Sequence, residues 1–510
     1  MKKTWMLFLT FLSIFFLSSC ALLPIFGGDE PSAQNPGFLS NHVLTYQRFE
    51  AKQKEEMDPI EGGTVVADTQ YDYEEVQEAY YDFQTLPNKG NVKILVLPIH
   101  FTDYTCSKLL QGCSDTRNLI GNAFFETSDK TGWESVASYY YKSSYGQLAI
   151  SGAVLDWYQV GMTAKKAAAI TRYNDPTIYI LRQATKAAKE QLGETWKEYD
   201  SNQDGFIDAV WMVYAVDPQK VNEDVYWAYT YWDYEQSANL NSPNPQVYSW
   251  ASYGFMYEGG YTSVDAHTYI HETGHLLGLD DYYSYDEDNS YAPAGGLDMM
   301  DYNLGDHNAF SKMSLGWLSP YHVTESTTIH LKPFERSGQC IVLQDSWSKT
   351  PFDNYIVLEY YTPTGLNEQD AVEGYVGSVH MFRRPGIRIW HVDARLGTYQ
   401  VGFMEDTFLS YTKKIETGQK VYTKIAHSNT PSRSENENYF LLHLLEASGK
   451  NTMKSGKAAT DDALFHMGDT FPTKTGDYAS FRFNTGNAFP YTISFGMQSS
   501  FEAVVTITKK

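Results

Sequence analysis

Apolar residues run almost unbroken over residues 92–101 (VKILVLPIHF) and again over 207–216 (IDAVWMVYAV). Alternation disappears when neither face of a strand meets water, so both runs predict strands covered on both sides. Between them the pattern changes. Residues 135–145 read as an aromatic helix, 147–158 alternate as a strand, and Asp175-Pro176 opens a helix that Gly193 ends. Asp suits the N-cap, Pro the first helical position, and Gly the residue past the end. Strand and helix thus alternate through the first half, which predicts an α/β domain. From Val323 onward the runs are short and β-type: 329–331, 340–343, 355–361, 387–392, 439–445 and 503–508, with turn residues between them. They predict an all-β, sandwich-like module over 323–510. No internal repeat of fixed period is visible.

The N-terminus follows another logic. Lys2-Lys3 precedes an apolar run from Trp5 to Leu17, too short to span a bilayer comfortably, which reads as a secretory signal over residues 1–20. The run closes Leu17-Ser18-Ser19-Cys20 and resembles the bacterial lipobox, which implies cleavage before Cys20 and acylation of its thiol. An ordinary signal with an incidental Cys20 would give a secreted protein instead. Residues 21–90 are polar and acidic and read as a tether with a partly helical leader that can serve as a pro-segment. The α/β domain is then expected over 91–322.

Charge narrows the partners. The 510 residues carry 39 Lys+Arg against 62 Asp+Glu, a formal charge of -23. That excess argues against nucleic acid, whose phosphates need clustered cations, and against attraction to anionic lipid. Four Cys in such a length do not make a disulfide-built scaffold. Cys106 and Cys113 can close a short loop by disulfide in an oxidising compartment, and Cys340 sits in an apolar run as a buried thiol.

The chemistry is concentrated in His271-Glu272-Thr273-Gly274-His275-Leu276-Leu277-Gly278-Leu279-Asp280-Asp281. Residues four apart share a helix face, so His271 and His275 can hold one metal ion, with Glu272 placed to take a proton from the attacking water. Gly278 is where the helix must stop, because Gly adopts the left-handed conformation without a Cβ penalty. Asp281 can then return as a third ligand. Three protein ligands and an open position define a catalytic rather than a structural zinc site. A rival architecture takes a downstream Glu as third ligand, but there is no Glu between Asp288 and Thr324. His267, one turn before His271, is expected near the cleft without binding metal, while His307, His380 and His391 are assigned to packing or surface.

Gly295-Gly296-Leu297-Asp298-Met299-Met300-Asp301-Tyr302 follows the second His by about 20 residues. It resembles the Met-turn of metzincins. That resemblance implies that Met300 lies beneath the metal and that Tyr302 approaches the metal or the oxyanion. More narrowly, the chain resembles the immune-inhibitor-A family of secreted bacterial metallopeptidases. The likeness rests on the zinc helix, on 92–103, 135–157, 200–215 and 310–320 (FSKMSLGWLSP), and on 386–393 (GIRIWHVD). It covers roughly residues 90–400 and is patchy outside the helix. It implies a metzincin-like zincin domain before the β-rich module, a Zn²⁺ cofactor, and protein or peptide substrates. Two other functions remain compatible with the residues: a non-catalytic surface adhesin on a protease scaffold, and a zinc hydrolase of non-protein substrates.

Asp200, Asn202, Asp204 and Asp208 are spaced like the first half of a Ca²⁺ loop, but Trp211 stands where an EF-hand needs Glu. Either a calcium turn of another type or a plain Asp/Gly turn before the buried strand fits.

Overall fold

The computed structural model describes residues 37–53, 86–173, 175–217, 223–257, 264–286, 290–344, 350–375, 380–400, 407–411, 421–422, 429–430, 436 and 438–510. The signal segment with Cys20 and residues 54–85 of the expected tether lie outside them. Among the described residues no helix is long and apolar enough to cross a membrane. The architecture is mixed α/β. One unit takes 37–53 and 86–279; the other takes the described residues from Asp280 to Lys510.

The first unit is built on β3 (Gly90–His100). On one side β3 pairs in parallel with β4 (Leu148–Val154) and β5 (Tyr158–Gln159), and on the other with β6 (Val210–Tyr214). Next to β6 lies parallel β8 (Val247–Ser252), and β7 (Tyr229–Trp232) ends that side antiparallel to β8. Helices α1 (Gly112–Phe125), α2 (Val136–Ser143), α3 (Pro176–Leu192) and α4 (His267–Leu276) accompany the sheet. The local chemistry is as expected: Ser135 and Ser138 form a capping box for α2, and the Asp175 carboxylate accepts from Thr177 N–H at 2.8 Å at the start of α3. Alternate residues of β6 explain its continuous apolarity. Val210, Met212 and Tyr214 join a core with Leu95, Leu97 and Ile99 of β3 and Ile178, Leu181 and Ala184 of α3. Trp211, on the other face, meets Phe124 of α1 and Tyr269 of α4. Cys106 and Cys113 are disulfide-bonded just before and within the start of α1, and Cys340 is a buried free thiol.

The expected tether is corrected here. Within 21–90, residues 37–53 are part of the sheet rather than a leader. β1 (Gly37–Phe38) pairs with β5, and β2 (Leu44–Tyr46) with β4, both antiparallel. Gly121 makes room for this: a Cβ there would lie 2.0 Å from the Tyr46 hydroxyl. The Arg117 guanidinium fastens the same segment by donating to the His42 carbonyl at 2.8 Å and to the Val154 carbonyl at 2.7 Å. Two strands this short carry too few residues to show a period.

In the second unit, β9 (Tyr321–His322), β11 (Cys340–Gln344), β12 (Asn354–Tyr361), β13 (Gly386–Asp393) and β17 (Leu442–Leu445) form a sheet in the order β17-β13-β12-β11-β9. A second sheet has the order β10-β20-β19-β18, from β10 (Thr327–Leu331), β18 (Thr470–Phe471), β19 (Tyr491–Gln498) and β20 (Ala503–Lys509). Strands 397–400, 407–411 and 421–422 make a small third sheet. Ile341, Leu343, Ile356, Leu358, Ile387 and Ile389 share a core with Ile329, Leu331, Ile493, Val505 and Ile507. Inward-facing alternation from two sheets around one core is sandwich-like packing.

The boundary between units falls at Asp280, earlier than the expected 322. The reason lies on the far face of β12 and β13, where a charged pair is buried among apolar residues such as Val357 and Val392. Glu359 and Arg388, both essentially without solvent exposure, form an ion pair there at 2.6 Å. The second Glu359 oxygen accepts from Ala309 N–H at 3.0 Å, and its first from Trp390 Nε1 at 2.7 Å. Nearby Lys312 and Asp306 form another buried pair at 2.6 Å. Buried charges demand partners, and these bind residues 298–317 to the β-rich sheet.

Two outcomes follow. A chain beginning at residue 86 should melt several degrees below one beginning at residue 37, measured by thermal denaturation. Glu359→Gln leaves the Arg388 charge buried without its partner and should lower stability by about 3 kcal/mol, read as a shift in the urea midpoint.

Candidate metal centre

Helix α4 is anchored from three directions. Tyr140 of α2 donates its hydroxyl to the Ile270 carbonyl at 2.7 Å. Trp211 of β6 donates Nε1 to the Thr273 hydroxyl at 3.2 Å, and that hydroxyl donates to the Tyr269 carbonyl at 2.7 Å. Leu86 N–H donates to the Leu276 carbonyl at 3.1 Å, so the last residues before β3 also support the helix. At its start His267 is fully buried, stacked on Trp133 at 4.0 Å, with Nδ1 2.8 Å from the Asp265 carboxylate. His267 is therefore a structural residue of the helix N-terminus.

The helix ends as the Gly278 reading requires. Gly278 has φ +88°, in the left-handed region. Its N–H donates to the His275 carbonyl at 2.9 Å, and Leu279 N–H donates to the Gly274 carbonyl at 3.0 Å. This pair of bonds is the Schellman arrangement, which satisfies carbonyls a helix end leaves open. The Leu279 carbonyl, brought back by the turn, lies 2.8 Å from His275 Nδ1. A carbonyl only accepts, so Nδ1 carries the proton and Nε2 is left as the electron-pair donor.

His271, His275 and Asp281 each offer one ligand atom, and these atoms lie within 4.8 Å of one another. It is Asp281, not Asp280, that belongs to the set. Bonds of about 2.1 Å at tetrahedral angles put donors about 3.4 Å apart, inside the 4.8 Å within which these atoms lie. Two imidazoles and a carboxylate are also a donor set suited to zinc, so the residues fit the metal. Tyr285 donates its hydroxyl to Asp281 Oδ2, which orients the carboxylate.

Glu272, between the two His, is buried. Thr230 of β7 reaches it: the hydroxyl lies 3.1 Å from Glu272 Oε2, 3.1 Å from the Glu272 carbonyl and 2.8 Å from the Ser249 hydroxyl. Met300 is fully buried, and its carbonyl accepts from Tyr282 N–H at 2.7 Å, so the Gly295–Tyr302 turn is tied to the residue after Asp281. Asp298 caps that turn through Met300 N–H at 2.9 Å and accepts from Asn308 at 2.8 Å. Burial pushes the Asp298 carboxyl up to about 6 against the pull of those donors. Tyr302 is part-exposed, and burial followed by the nearby Asp301 raises its phenol further above its ordinary value.

The Asp200–Asp208 segment is a self-satisfied turn. Asp204 and Gly205 N–H donate to the two Asp200 oxygens at 3.0 Å each, and Phe206 N–H to Asp204 at 2.8 Å. Ser201 donates both N–H and hydroxyl to Asp208. His307 and His391 are buried, in line with packing roles. Thr230, Ser249, Tyr285 and Asp298 were not visible as site residues in the sequence, since each acts through strand register or a loop closure with no local pattern.

No protein-family model matches the chain, and no curated protein matches it.

Burial pushes the Asp208 carboxyl up to about 7, although the Ser201 donors pull it down. Between about pH 4 and pH 7 the folded state then holds a proton that the unfolded state has released, so stability falls as pH rises through that window. Asp208→Asn should flatten this slope, which is worth up to about 4 kcal/mol, in urea unfolding followed from pH 4 to pH 8.

Proposed function

We propose that this chain is a zinc-dependent endopeptidase of the metzincin-like, immune-inhibitor-A type. It acts on extracellular proteins and is held at the outer face of a bacterial membrane by a lipid on Cys20. One observation carries the catalytic part: a single helix and the turn that ends it bring two His and one Asp together as ligands, with Glu272 between the two His. A metal site kept only for structure closes with four protein ligands and has no use for such a carboxylate.

When bound there, zinc supplies Lewis-acid activation of the attacking water and of the scissile carbonyl. His275 presents Nε2 because Leu279 holds its other nitrogen. Glu272 takes the proton of the attacking water and passes it to the leaving amine. Met300 shapes the floor beneath the ligands, and Tyr302, protonated at neutral pH, can donate to a developing oxyanion.

A peptide substrate is supported by β7. It ends the sheet order on its side, and Thr230 in its middle touches Glu272. An end strand offers backbone donors and acceptors that an extended peptide can pair with. This placement favours peptide bonds over the adhesin and non-protein hydrolase readings.

Glu272→Ala should retain one zinc per chain and lose cleavage of an unfolded protein by roughly 10²- to 10⁴-fold. His271→Ala should lose both metal and activity. Zinc content by atomic absorption and cleavage on a gel read both; equal cutting by wild type and Glu272→Ala at equal zinc content overturns the assignment.

A further inference from the structure

We infer that Thr230 is a positioning residue for the general base, supported in that role by Ser249. The inference rests on the proposed peptidase function and names residues that neither motif nor resemblance supplies.

Thr230 and Ser249 are direct cross-strand partners on β7 and β8, and their hydroxyls are 2.8 Å apart. Thr230 Oγ1 lies 3.1 Å from Glu272 Oε2 and 3.1 Å from the Glu272 carbonyl. Ser249 Oγ lies 3.4 Å from that same carbonyl. Ser249 is fully buried and Thr230 partly so. A threonine packed only for shape would not need a β-strand hydroxyl aimed at both the main chain and the side chain of one helical residue.

A hydroxyl has one proton to donate and two lone pairs. While Glu272 is a carboxylate, Thr230 donates to Oε2, and Ser249 donates to Thr230. The pair therefore fixes the direction of the Glu272 carboxylate from the strand side. No bond is formed or broken at Thr230, and the proton remains with Glu272 until it passes to the leaving amine. A residue in the middle of the end strand thereby also links the backbone that a peptide would pair with to the orientation of the base.

The test compares zinc-loaded wild type with Thr230→Val, Thr230→Ser and Ser249→Ala, using kcat and KM on a fluorogenic peptide, zinc content and melting temperature. Thr230→Val keeps the shape and removes the hydroxyl. It should lower kcat about 10-fold at unchanged KM and zinc content, with Thr230→Ser recovering most of the loss and Ser249→Ala losing about 3-fold. A purely structural hydroxyl would lower melting temperature or zinc content and leave kcat per zinc intact. If Thr230→Val keeps kcat within 2-fold, or if KM alone changes, the inference is overturned. If Thr230→Val does not fold, the decision passes to Ser249→Ala, whose wild-type kcat would overturn it equally. Wild type that holds zinc and cuts no peptide defeats the proposed function, and this inference with it; wild type that cuts beside an equally active Thr230→Val defeats the inference alone.

Discussion

The turn at Gly278 is the constraint on which the rest of the candidate metal centre depends. One left-handed residue ends α4, satisfies two carbonyls of the last turn and swings the Leu279 carbonyl onto His275. The same reversal sends the chain toward Asp281. A residue with a Cβ at Gly278 would be strained by about 1–2 kcal/mol there. The larger loss would be geometric, since the imidazole's tautomer and the direction of the returning chain come from the same bonds.

The two units solve different problems of burial. In the first, an almost wholly apolar sheet is covered on both faces, and α4 is held by single hydrogen bonds from Tyr140, Trp211 and Leu86. In the second, the β-rich sheet is apolar on its sandwich face and buries a charged pair on the other. Glu359, Arg388, Asp306 and Lys312 are buried there as pairs, and Glu359 also receives the N–H of Ala309. Such pairs add little net stability compared with apolar packing, but they tolerate few alternative arrangements. The segment that contains Met300 is therefore fixed by direction as well as by volume, through Asp298, Asn308 and the Met300–Tyr282 bond.

What was legible in the sequence was what short-range pattern encodes. The buried strands β3 and β6, the capped helices and the His-Glu-His-Gly-Asp series all follow from periodicities of a few residues, and each stands where the spacing put it. Long-range pairing was not legible. β1 and β2 join strands more than a hundred positions away, and each is too short to show a period. Thr230 becomes a neighbour of Glu272 only through the β7–β8 register. The Asp200–Asp208 spacing was ambiguous for a physical reason: the same side chains that could face a cation can face the turn's own N–H groups, and here they do.

The end strand has a further consequence. β7 reads Tyr-Thr-Tyr-Trp, flanked by exposed Trp227 and Tyr234, and an edge of that composition does not distinguish a substrate from a second copy of the same molecule. Colloidal behaviour then depends on repulsion. A net charge of -23 keeps copies apart at low ionic strength, and salt screens it within about 8 Å at physiological concentration. The acidity of this chain thus opposes pairing between copies through such an edge, and that opposition weakens as ionic strength rises.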